Sequence, residues 1–194
     1  MTVAGLVLAA GAGRRMGGPK ALVRDGDGTP WVVRAARTLV DGGCSPVLVV
    51  VGADAAEVGR QLDDESVTVV EAADWAVGMG ASLRAGLGAL SQHSNVNAVV
   101  ITPVDVPSLG PDVVRRTAAG ATASSLVRAS YHGRPGHPVL IGRQHWAGVR
   151  DLATGDQGAR AYLSAHPPVD VECADLTDGL DIDTLDALPP GHHF

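Results

Sequence analysis

Short valine-rich runs recur along this chain with helix-like segments between them, an order that leaves few folds open. The runs Val3–Ala9, Val47–Gly52, Val67–Glu71, Ala98–Thr102, Ser124–Ala129, Pro138–Ile141 and Val169–Glu172 read as strands. Helices are expected over Trp31–Val40, Ala55–Leu62, Ala81–Leu90, Pro111–Ala119 and Gln157–Ala165, the first with Thr29 as N-cap and Pro30 at the first helical position. Strands so uniformly apolar are buried on both faces, which predicts an α/β fold of three layers around a mostly parallel sheet. A length of 194 residues, 45% of them hydrophobic, suits one domain spanning 1–194, with no repeat or linker interrupting it. Three Trp, two Tyr and one Phe leave the core to Val, Leu and Ala.

Charge and cysteine usage narrow the function classes. Fifteen basic against twenty-one acidic side chains give a net charge of −6, which carries no electrostatic footprint for nucleic acid. Two cysteines, Cys44 and Cys173, make neither a disulfide framework nor a zinc cluster, although one pairing stays open; this fits a reducing compartment. The apolar run after Met1 has Arg14 and Arg15 behind it, whereas a signal peptide carries its charges in front, and no stretch reaches the length of a membrane span. A soluble, cytoplasmic protein with no nucleic-acid or membrane partner is expected.

About twenty residues separate the first strand from its helix, where such loops usually take ~2–6, and in an open α/β sheet this loop overhangs the crevice beyond the strand ends. It reads Leu8-Ala9-Ala10-Gly11-Ala12-Gly13-Arg14-Arg15-Met16-Gly17-Gly18-Pro19-Lys20. Glycines let backbone amides wrap an anion while Arg15 and Lys20 add charge, a combination suited to a triphosphate. A dinucleotide fingerprint fails at Met16, and a Walker A loop fails because Pro19 splits Gly18 from Lys20 and Ala21 replaces the hydroxyl ligand of magnesium. Fourteen of the fifteen basic residues are arginine and the sole lysine is Lys20, which points to a need for a compact ammonium at one phosphate oxygen.

The string from Leu8 to Lys20 resembles the signature of nucleotidyltransferases with a Rossmann-like, GT-A-type fold. Further strings are similar to the molybdenum cofactor cytidylyltransferases: Gly78-Met79-Gly80-Ala81-Ser82-Leu83-Arg84-Ala85-Gly86-Leu87, Gly136-His137-Pro138-Val139-Leu140, Gly155-Asp156-Gln157-Gly158-Ala159-Arg160 and Asp181-Ile182-Asp183-Thr184. The resemblance implies transfer of CMP from CTP to the terminal phosphate of molybdopterin or its molybdenum form, with release of pyrophosphate and with Mg2+ as cofactor. It also implies transient contact with a molybdoenzyme or a pterin-delivering enzyme. Related guanylyltransferases carry Gly where this chain has Ala10, so Ala10 resembles the pyrimidine users, with GTP as the alternative. A sugar-phosphate or polyol-phosphate cytidylyltransferase, a dinucleotide-dependent oxidoreductase and a non-catalytic cofactor carrier are the other readings.

Individual residues carry two readings each. Asp105, just beyond the strand ending at Thr102, suits magnesium, and the resemblance places the metal ligand there; otherwise it caps the helix near Pro111. Asp181 and Asp183, with Thr184 as a helix cap, form either an acidic turn or, by resemblance, the rest of the metal site, with Asp183 preferred. Ser82 caps its helix or, by resemblance, contacts cytosine, with Gly78 and Gly80 allowing close backbone approach to base or ribose. His137, between Gly136 and Pro138, is expected to be exposed and is assigned by resemblance to acceptor binding. Arg134 and Arg160 either meet phosphate or pterin groups or lie unpartnered on the surface. In this scheme the loop from Leu8 to Arg15 binds the nucleotide: the backbone amides of Gly11 to Arg14 cradle the phosphates, Arg15 holds the β and γ groups and Lys20 meets the α group.

Overall fold

The computed structural model describes residues 2–194. Seven strands, β1 (Thr2–Leu8), β2 (Val47–Val51), β3 (Thr68–Glu71), β4 (Val96–Pro103), β5 (Leu126–Tyr131), β6 (Arg134–Gly142) and β7 (Val169–Glu172), form one sheet in the order β3-β2-β1-β4-β6-β5-β7. The first four run parallel, β6 runs antiparallel to both β4 and β5, and β5 pairs parallel with β7. The helices are α1 (Trp31–Asp41), α2 (Ala55–Arg60), α3 (Met79–Leu90), α4 (Pro111–Ala118), α5 (Trp146–Leu152) and α6 (Arg160–Ala165). The mostly parallel sheet between two helical layers is the expected fold. Among the described residues no helix is long and apolar enough to cross a membrane.

Alternation along the central strands explains the layers. In β2 every residue is buried; Leu48 and Val50 join Leu83, Leu87 and Leu90 of α3 on one face. Val47, Val49 and Val51 join Trp31 and Leu39 of α1 on the other, as the two-residue period of a strand requires. Trp146 and Val149 of α5 and Tyr162 of α6 extend the first cluster across the β6 end of the sheet. Cys44 and Cys173 are free and buried, so the open pairing is not made; burial pushes the Cys44 thiol up to about 12.

Local expectations fail at several points. Pro30 is the N-cap of α1 and Trp31 its first residue, because the Thr29 amide is turned back to Asp25 and Asp27 by hydrogen bonds of 3.0 and 2.9 Å. Helix α3 begins at Met79 with Gly78 at its N-cap, which puts Ser82 inside the helix. Gln157 belongs to a separate 3-10 turn, Gly155–Gln157, ahead of α6. Thr184 stands at the N-cap of the 3-10 turn Leu185–Ala187 but makes no side-chain cap.

The β5–β6 turn is fastened by one carboxylate. Glu172 accepts hydrogen bonds from the amides of His132, Gly133 and Ala174 at 2.9–3.0 Å and from Ser130 Oγ at 3.1 Å. The bond from Gly133, then those from Ala174 and His132, hold its carboxyl at about 2 against an ordinary 4.5. The stability this contributes is complete above the unfolded value and is lost as pH falls from about 4.5 to about 2. Glu172→Gln should therefore flatten the acid limb of a melting-temperature profile in that window; a limb as steep as the parent's removes the clamp from the account.

Candidate functional site

The loop at residues 9–30 after β1 is pinned from below. Met16 is fully buried in the cluster that contains Trp31 and Val23, and its amide bonds the Gly13 carbonyl at 2.7 Å. Gly13 has φ +57°, and a Cβ there would lie 1.9 Å from the Gly18 oxygen, so the loop closes on itself only with glycine at this point. Among the described residues the amides of Gly11, Ala12, Gly13 and Arg14 donate no backbone hydrogen bond, leaving a row of donors without backbone partners.

This row borders a cleft of about 360 Å3 at the carboxyl ends of β1 and β4, where the sheet order changes direction. Of the residues singled out in the sequence, Leu8, Ala10, Gly11, Ala12, Gly13, Arg14, Lys20, Gly78, Ser82 and Asp105 line it. Asp105 does not cap α4, whose N-cap is Gly110. Lys20 Nζ instead donates 2.6 Å bonds to Asp105 Oδ2 and to Asp183 Oδ1. Burial opposes the Lys20 charge, but these two bonds outweigh it and raise its pKa above the usual amine value. The Lys20 bond, with Arg15 3.4 Å away, holds Asp183 below the usual carboxylate range. Asp183 arrives because the Ile182 amide bonds the Asp105 carbonyl at 2.9 Å, tying the C-terminal segment to the end of β4.

Three expected positions, Ala9, Arg15 and Gly80, do not line the cleft. Ala9 is buried and its amide bonds the Val50 carbonyl, so it supports the sheet instead of lining the cleft. Arg15 leaves 72% of its side chain exposed beside Asp183, and Arg14 is the arginine on the cleft wall. Gly80 lies beneath the wall: a Cβ there would come within 2.8 Å of the Ala153 backbone, so this glycine lets α3 approach the segment after α5. Ser82 is buried within α3 at the cleft wall, which removes the capping reading.

A second pocket of about 620 Å3 adjoins the first, and Leu8, Met79 and Asp156 line both. Its walls are largely apolar, with Leu83, Ile101, Val139, Ile141 and Leu163, and its polar groups include His137, Gln157, Arg160 and Asp181. His137 is not exposed: β6 runs from Arg134 to Gly142 and pairs with β5 at Pro135 and again at Val139, which carries the strand through Gly136-His137-Pro138. The ring is half-buried, its Nδ1 is sealed from solvent with no hydrogen-bond partner, and burial lowers its pKa despite the nearby Asp105. Burial, reinforced by Asp105 and Asp183, pushes the Asp181 carboxyl up to about 6. Arg134 is exposed on the β5–β6 hairpin and lies outside this pocket.

The sequence missed Trp75 and Asp156 as lining residues. Arg84 fixes the Trp75 turn through the Ala153 carbonyl and Asp74. Asp156 lay within the quoted Gly-Asp-Gln string; Trp75 gave no local signal. Among the described residues no group of three or more His, Cys, Asp or Glu is placed to hold a metal ion. Asp105 and Asp183 fit a hard cation that takes one or two carboxylates and completes its shell with water and phosphate, and Asp105 Oδ1 is buried without a partner.

A mostly parallel sheet with a glycine loop over its carboxyl edge, and a lysine and two aspartates at that edge, is the frame of a nucleotide-handling α/β protein. The chain belongs to the family of MobA-like NTP transferase domains, whose model matches residues 5–170. It is 36% identical to nicotine blue oxidoreductase of Paenarthrobacter nicotinovorans over 96% of this chain and 94% of that protein. It is 32% identical to molybdenum cofactor guanylyltransferase of Rhodobacter capsulatus over 75% and 66%. Among solved structures, Rv0371c of Mycobacterium tuberculosis H37Rv superposes with TM-score 0.80 at 25% identity, covering 96% of this chain and 95% of that one. A complex of Rv0371c with manganese gives TM-score 0.77 at 26% identity, covering 96% of each chain.

Proposed function

We propose that this nucleotidyltransferase moves CMP from CTP to the terminal phosphate of molybdopterin or its molybdenum form, releasing pyrophosphate. The observation that carries this reading is the junction of two pockets, one edged by free amides and the Lys20 cluster, the other apolar with Arg160 and His137 in its lining. The attacking phosphate is already anionic, so no general base is needed, and both cysteines are buried away from the clefts. What the residues supply is alignment and charge. Amides from Gly11 to Arg14 cradle the phosphates, Arg15 swings from Asp183 to the β and γ groups, and Lys20 meets charge developing at the α-phosphate. Asp105 and Asp183 would hold Mg2+, which when bound neutralises nucleotide oxygens. Ser82 faces the base, and the Ala10 methyl, on the wall near Trp75, leaves less room for a purine. In the second pocket His137 and Arg160 bind the acceptor.

The test is pyrophosphate release from CTP and GTP with molybdenum cofactor present or absent, alongside melting temperatures with each nucleotide and Mg2+. CTP should give the larger stabilisation and the acceptor-dependent release; stronger stabilisation by GTP would replace cytidylyl with guanylyl transfer. The relative named nicotine blue oxidoreductase supports a second reading, a nicotinamide-dependent oxidoreductase built on the same clefts. That reading requires consumption of a reduced nicotinamide without magnesium and without pyrophosphate.

A further inference from the structure

Lys20 is the only lysine in the chain, and its ammonium sits between the two carboxylates assigned above to the metal, 2.6 Å from each. We propose that Lys20 serves as an internal counter-cation for Asp105 and Asp183, so that a divalent ion binds tightly only when a nucleotide polyphosphate draws the ammonium away. The inference rests on the metal assignment made under the proposed function.

Three features carry it. The two carboxylates are brought together by backbone, Asp105 by the end of β4 and Asp183 through the Ile182–Asp105 bond, so neither is free to retreat from the other. Left without a cation they repel, and with 15% of the Lys20 side chain and 19% of the Asp105 side chain exposed, solvent screens the cluster only in part. Second, the ammonium satisfies the pair incompletely. It engages Asp105 Oδ2 and leaves Asp105 Oδ1 sealed from solvent with no partner, an atom still able to take a cation. Third, a lysine is a compact charge on a flexible stem, able to exchange one set of oxygens for another. The alternative oxygens would lie in the same cleft, where the amides from Gly11 to Arg14 receive phosphate.

A divalent ion on these carboxylates and an ammonium bonded to them are like charges at close range. Metal alone therefore competes with Lys20, whereas metal with a triphosphate does not, because the phosphates give the ammonium a new partner. The two ligands then raise each other's affinity by the same factor, as linkage demands.

The experiment is a Mn2+ titration of the full chain, following the free ion by electron paramagnetic resonance, with and without a non-hydrolysable CTP analogue. Mn2+ is the ion in the Rv0371c complex. Lys20→Met should bind Mn2+ alone about tenfold more tightly than the parent, the effect of deleting one adjacent positive charge. The analogue should tighten Mn2+ binding by a similar factor in the parent and by far less in the variant. Lys20→Gln, which keeps the polar stem, provides the same comparison if the methionine variant folds poorly. Neutral variants that bind Mn2+ alone no more tightly than the parent overturn the inference. Asp105→Asn separates this from the underlying assignment: its loss of Mn2+ binding keeps Asp105 as a ligand whatever the Lys20 variants do. Unchanged Mn2+ binding in Asp105→Asn overturns the metal assignment and the counter-cation role with it.

Discussion

Asp105→Ala is expected to slow nucleotidyl transfer by about a hundredfold or more, the usual loss when one preorganised charge is taken from a phosphoryl-transfer site. The residue lies two positions beyond β4, with most of its side chain buried, and it is one of two anions gathered around Lys20. Without it the cation of the proposed reaction would lose a ligand, and Lys20 would be left bonded to Asp183 alone. The fold should survive, because the link between the C-terminal segment and β4 uses the Asp105 carbonyl and not its carboxylate. Pyrophosphate release at saturating CTP and Mg2+, measured beside a circular-dichroism melt, checks both halves. Turnover at the parental rate in a folded variant would remove Asp105 from the reaction.

Trp31→Ala is expected to cost about 3–5 kcal/mol of folding stability, the range for deleting a large aromatic ring from a core. The side chain is 1% exposed at the start of α1 and belongs to the apolar cluster that holds Met16. Its Nε1 also donates to His192 Nδ1 at 3.0 Å, fixing the returning C-terminal segment. The melting temperature should fall by on the order of 10 °C or more, and nucleotide affinity should weaken because the glycine loop rests on the same cluster. A stability loss below about 1 kcal/mol by urea denaturation would mean that the indole is not a central packing element.

Much of the framework was legible because it is written locally. The valine runs of β1, β2 and β4 need burial on both faces whatever surrounds them, and the glycine loop announces itself by composition and length. What could not be read depends on contacts distant in sequence. The placement of His137 between Gly136 and Pro138 suggests exposure, yet β6 already begins at Arg134, β5 pairs with it at Pro135 and Val139 on either side of this segment, and His137 Nδ1 is buried. Helix α5 spans only Trp146–Leu152, too short for a helical period to stand out, and its Gly148 accommodates the Tyr162 ring of α6. The bridge from Lys20 to Asp183 joins residues 163 positions apart and exists only after the C-terminal segment has docked. Single residues showed which chemistry was present, and only their assembly showed which groups share a proton donor.

The backward-running β6 divides labour within the molecule. The glycine loop grows from the parallel half, β1 to β4, while most of the neighbouring chamber is walled by β6 and the segments that follow it. Change in the later half can retune what enters that chamber while the glycine-loop cleft stays as it is. One inherited frame can thus serve relatives whose names describe different trades, a nucleotide transfer in one and a redox step in another.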